Sequence, residues 1–175
     1  AIDDLDQPHP PAPDALRQQM GAGILLLRDA NWWPDYPTSA QVAAGLYRQD
    51  RGPAVDGVLA VDLTALRLLL AAIGPVQVPG YELPISASNL EAMLQQSWQA
   101  PQALAPGDES QAWWQARKDL AADLLAALVA RLTEQATAQE LAGLVPALLR
   151  ALEEAHTLVY SPDPELQSLL HSTGW

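Results

Sequence analysis

The chain has 175 residues, no cysteine and a formal net charge of -12, with Lys118 as its single lysine against eight arginines. That length suits one ordinary domain, able to bury roughly two thirds of the surface its unfolded chain exposes, and the missing thiols exclude cysteine nucleophiles, thiolate zinc sites and iron-sulfur clusters. The acidity works against a phosphate backbone and an anionic bilayer surface, and leaves cations and basic partners open.

The opening AIDDLDQPHPPAP is acidic and proline-rich, which is neither a signal peptide nor a membrane span. It reads as an extended arm over residues 1–13, because closely spaced prolines forbid helix and remove ladder donors. Ile24-Leu25-Leu26-Leu27, entered after Gly21 and Gly23, reads as a short strand buried on both faces. The loop RDANWWPDYP follows. Thr38-Ser39-Ala40-Gln41 then has capping-box spacing, which predicts a helix from there to about Gln49.

Val58-Leu59-Ala60-Val61 reads as a second strand, and Asp62 as the N-cap of a helix over LTALRLLLAAI that stops at Gly74-Pro75. Val76-Gln77-Val78 reads as a third strand, so that strand, helix and strand form a right-handed parallel crossover. Ser88-Asn89-Leu90-Glu91 is another capping box, opening a helix to about Trp98. A long helix is expected from about Glu109 to Glu134, capped by Asp108, with Leu120, Leu124, Leu125, Leu128 and Leu132 at three and four spacing. Thr137 with Glu140 caps the next helix, which is expected to bend or restart near Pro146. Thr157-Leu158-Val159-Tyr160 reads as a strand, and Asp163-Pro164 opens a terminal helix. The expected fold is α/β: a central, largely parallel sheet with flanking helices and a helical elaboration at about residues 85–152, forming a single domain over 14–175.

Under that topology the polar groups after three strands, Arg28-Asp29, Asp62 and Ser161-Pro162-Asp163, emerge at the carboxyl edge of the sheet, where open α/β folds bind ligands. Arg28 would hold a phosphate, and Asp29 and Asp62 would sit near a magnesium ion, a set suited to phosphoryl transfer. Trp32, Trp33, Asp35 and Tyr36 would line the ligand, the rings stiffened by Pro34 and Pro37. Helix capping and turn formation explain the same carboxylates without any ligand, and one tryptophan suffices to plug the loop onto the core. His9, His156 and His171 lack ligand spacing, which argues against a histidine-rich metal centre.

Four stretches, LLLRDANWWPDYPTSAQ, VDGVLAVDLTALRLLLAAIGPVQVPG, SASNLEAML and HTLVYSPDPELQSLLHSTGW, resemble in order and spacing a bacterial family catalogued only as a domain of unknown function, family four thousand and twelve. That resemblance implies the later part of a longer domain, with a membrane anchor expected upstream and an extracytoplasmic, cell-envelope location. In layout the chain is also similar to the LytR-CpsA-Psr family, which transfers glycopolymers from polyprenyl pyrophosphate carriers. Arg28 and Asp29 map onto its strand-end Arg-Asp motif, its other arginines have no match, and its Gly-Gly-Val is Gly74-Pro75-Val76 here. Three readings follow: a ligand-binding or structural envelope domain, a glycopolymer phosphotransferase acting on a lipid-linked glycan, and an acidic module that holds a basic protein partner.

Overall fold

The structure, a computed structural model, describes residues 3–98 and 111–174, with side chains described for all of these except 98 and 111–119. Two compact units divide the chain: Ala1–Ala60 with Leu158–Trp175, and Val61–Thr157.

The described residues are mostly helical, and the sheet among them has two antiparallel strands, β1 (Val58–Val61) and β2 (Thr157–Tyr160). The expected α/β fold with a central parallel sheet is therefore overturned. Two expected strands fail for the same physical reason. Leu25 and Leu26 are buried, yet the backbone around Ile24 makes only one antiparallel bridge, with Pro11, closed by Leu25 N–H to Pro10 O at 2.8 Å and Ala12 N–H to Gly23 O at 3.3 Å. Pro10, Pro11 and Pro13 have no N–H, so the ladder cannot lengthen on that side. Val76 likewise bridges only Ile85, through two 2.8 Å bonds, between Pro75 and Pro84, neither of which can donate. The crossover expected after β1 is absent with it.

In the first unit, α1 (Asp14–Met20) ends on Gly21 at φ 68°, the left-handed turn that glycine adopts without strain. A short 3-10 turn (Leu27–Asp29) leads to α2 (Tyr36–Arg51), and α7 (Pro164–Ser172) is capped by Asp163. Ala12, Leu16, Leu25, Ala30 and Leu46 form the core, with Trp33 packed against it. The proline-rich arm is tied down along its length. Asp3 accepts from Leu27 N–H at 2.8 Å, and Gln49 Nε2 donates to Pro8 O at 2.9 Å. A β-carbon on Gly57 would meet the Tyr160 carbonyl oxygen at 2.8 Å, so only glycine lets the backbones come this close at the sheet.

The second unit is helical: α3 (Leu63–Ile73), α4 (Leu90–Trp98), α5 (Gln111–Ala130) and α6 (Ala138–Glu153). α3 packs on α6 and α4 on α5 around Leu70, Val78, Ile85, Leu90, Leu120, Leu124 and Leu144. α5 closes in a wide π turn (Arg131–Gln135) before α6 starts on the Thr137 and Glu140 capping box. α6 runs past Pro146 as one helix and does not restart there. The expected Asp108 cap lies outside the described residues. At α4 the Ser86 N–H donates to Asn89 Oδ1 at 2.7 Å, while the Ser86 carbonyl accepts from Leu90 N–H. No helix among the described residues is long and apolar enough to cross a membrane.

Candidate functional site

Six of the seven expected site residues fall in one short stretch of the first unit. Arg28 and Asp29 lie in the 3-10 turn and not after a strand, which corrects the expected strand-end placement. Arg28 Nε is 3.8 Å from Asp29 Oδ2, and the arginine side chain stays 56% exposed, so the pair is loose and solvent-screened.

The α2 N-terminus uses most of the rest. Asp35, rather than Thr38, is the N-cap, accepting from Thr38 N–H at 3.0 Å and from the Thr38 hydroxyl. Pro37 sits in the first turn, where its missing N–H costs nothing. The Thr38 hydroxyl bond, then the Thr38 backbone bond, hold the Asp35 carboxyl below its ordinary value despite some desolvation. Buried Ser39 donates through Oγ to the Trp33 carbonyl at 2.9 Å, fixing Trp33 against the core, while Trp32 is 39% exposed. Tyr36 Oη donates to Val58 O at 2.9 Å, and burial pushes its phenol up, opposed by the backbone at Ala60.

Asp62 belongs to the other unit. It caps α3 through Ala65 N–H at 2.9 Å, and its Oδ2 lies 2.7 Å from His156 Nδ1. Desolvation works to raise its carboxyl, but the Ala65 N–H, the His156 ring and its charge, and the Thr64 N–H together hold it below the ordinary value. His156 Nε2 is also 3.5 Å from Glu154 Oε2, and Ala155 between them has φ 57°, a left-handed conformation uncommon for a residue with a β-carbon. The sequence gives no signal for this pairing, since Asp62 and His156 are 94 residues apart.

Asp35, Asp62 and Glu140 are all helix-capping carboxylates held below their ordinary values. For such a group the folded pKa lies under the unfolded one. Its contribution to stability is complete above the unfolded value and is lost as pH falls through the folded one. The urea midpoint of wild type should therefore exceed that of Asp35→Ala at neutral pH, and the gap should close below pH 3.8, the ordinary aspartate value. A gap that widened on acidification would contradict the capping role.

Two open cavities of about 420 and 440 Å³ lie in the second unit, and neither is lined by any of the seven residues. Among the described residues no three His, Asp or Glu side chains are grouped to hold a metal ion. The arrangement thus combines helix caps, one anchored tryptophan, one half-exposed tryptophan and a half-exposed arginine.

No curated protein and no solved structure matches the chain. The LytR-CpsA-Psr likeness has no counterpart in these comparisons. One family model does match, over residues 2–98, leaving HTLVYSPDPELQSLLHSTGW outside the matched stretch. The chain belongs to the family described as "Protein of unknown function (DUF4012)".

Proposed function

We propose that the chain is a non-catalytic, extracytoplasmic domain of a membrane-anchored bacterial cell-envelope or surface-polysaccharide protein, with a ligand-binding or structural role. One observation carries this reading: three of the polar groups expected at the site, Asp35, Tyr36 and Asp62, are spent on the fold. Asp35 and Asp62 satisfy helix N-termini, and the Tyr36 hydroxyl satisfies a β1 carbonyl. A carboxylate committed to backbone N–H groups is a poor general base and a poor ligand for a hard cation unless the helix end opens.

The half-exposed Arg28 guanidinium favours a second reading, a glycopolymer phosphotransferase in which Arg28 holds a phosphate and Asp29 lies near magnesium. Incubating the full-length protein with a polyprenyl-pyrophosphate-linked glycan and magnesium separates the two. The first reading predicts no transfer of the glycan phosphate to an acceptor hydroxyl or water and so no release of polyprenyl phosphate, the leaving group when the pyrophosphate bond breaks. Release abolished by Arg28→Ala would replace it with the transferase.

A further inference from the structure

The cavity of about 420 Å³ in the second unit is lined by Gln77, Pro79, Asp123, Ala127, Arg131 and Gln135, among others. Arg131 and Gln135 are the first and last residues of the π turn that closes α5. Such turns widen a helix by one residue and recur at functional sites, where they re-aim side chains. Here the widened turn puts both of its end residues on the lining of one cavity.

The guanidinium there is half used. Arg131 Nη2 donates to Glu140 Oε1, whereas Nη1 is buried and meets no hydrogen-bond acceptor among the described residues. A charged donor left buried without an acceptor is costly, and an oxygen supplied by a ligand removes that cost. Glu140 offers no second oxygen, because Oε2 is taken by the Thr137 N–H and hydroxyl at 2.7 and 2.8 Å. Gln77 Nε2 is likewise committed, to Tyr81 O at 2.6 Å and Val78 O at 3.3 Å, which leaves its Oε1 as an acceptor.

Charge then selects among ligands. Glu140 already neutralises Arg131, so the exposed Asp123 leaves the lining with one excess negative charge. Phosphate or pyrophosphate would be repelled, but a molecule with a carboxylate at one end and an ammonium at the other matches both groups. Asp123 and Arg131 are eight positions apart on one helix, roughly 12 Å along its axis. An extended tripeptide spans roughly 10 Å.

We propose that this cavity binds a short zwitterionic peptide, its carboxylate taking the unspent Arg131 Nη1–H and its ammonium facing Asp123. Pro79 and Ala127 supply apolar walls for small side chains. This inference is independent of whether the first unit is an enzyme.

Titration calorimetry of the full chain with trialanine tests it, using N-acetyl-trialanine amide and inorganic pyrophosphate as comparison probes. Saturable binding of trialanine is expected, at least tenfold tighter than that of the blocked peptide or pyrophosphate. Exposed Asp123→Asn should weaken it at least tenfold with an unchanged melting temperature. Arg131→Lys, which keeps the Glu140 partner but has no second terminal nitrogen, should weaken it similarly. If Arg131→Lys fails to fold, Asp123→Asn alone decides. No heat from trialanine, equal affinity for the blocked peptide, or full affinity in Asp123→Asn would overturn the proposal.

Discussion

Leu124→Ala should lower the unfolding free energy by about 3 kcal/mol, and Leu125→Ala, one residue along the same helix, by under about 1 kcal/mol. The chemistry of the two changes is identical. Leu124 has no exposed surface and belongs to the core cluster with Leu70, Ile85 and Leu128, whereas Leu125 is 52% exposed. Truncating Leu124 removes buried methyl groups and leaves a cavity that α3 and α4 cannot fill without shifting. A domain of this size is stable by only about 5–15 kcal/mol, so the first variant forfeits a large share of the total. Urea unfolding of both variants measures the difference, and equal losses would mean that α5 presents another face to the core.

A second large effect is expected at a pair far apart in sequence. His9 on the proline-rich arm and Asp50 in the last turn of α2 both have fully enclosed side chains. Nε2 lies 3.1 Å from Asp50 Oδ1 and 3.3 Å from Oδ2, and Nδ1 is 2.9 Å from Gln7 O. Both ring nitrogens thus face oxygen atoms. His9→Ala strands the Asp50 carboxylate, whose Oδ1 meets no other donor among the described residues. Leaving a buried polar group without its partner costs about 1–3 kcal/mol, and more when that group is a carboxylate. The double variant His9→Ala with Asp50→Leu should recover much of this, because no charge is then left buried. A double variant as unstable as the sum of the two singles would show that the pair is not coupled.

Much of the local structure was legible in residue types. Asp62 ahead of LTALRLLLAAI, Thr137 with Glu140, and Asp163 with Pro164 each mark a helix start by chemistry that acts within four residues. Short-range reading erred at α2, where Asp35 outcompeted Thr38 as the cap because its carboxylate reaches both Thr38 groups. Sheet topology failed for a broader reason. A run such as Ile24 to Leu27 specifies burial, which the structure grants to Leu25 and Leu26, but burial does not specify a ladder partner. The partner was a proline-rich arm that has few N–H groups to give. With no parallel sheet, Arg28, Asp29 and Asp62 share no carboxyl edge. Asp62 instead pairs with His156, and Arg131 acquires its cavity from a π turn that no spacing rule announces.

On the proposed reading Arg28 and Asp29 form a turn that holds no pyrophosphate. Thermal melting of the full-length protein with and without magnesium and a polyprenyl pyrophosphate, for wild type and Arg28→Ala, tests it most directly, since a ligand that binds only the folded state must raise the melting temperature. Neither protein's melting temperature is expected to change on adding magnesium and the polyprenyl pyrophosphate. A magnesium-dependent rise in wild type that Arg28→Ala abolishes would contradict it.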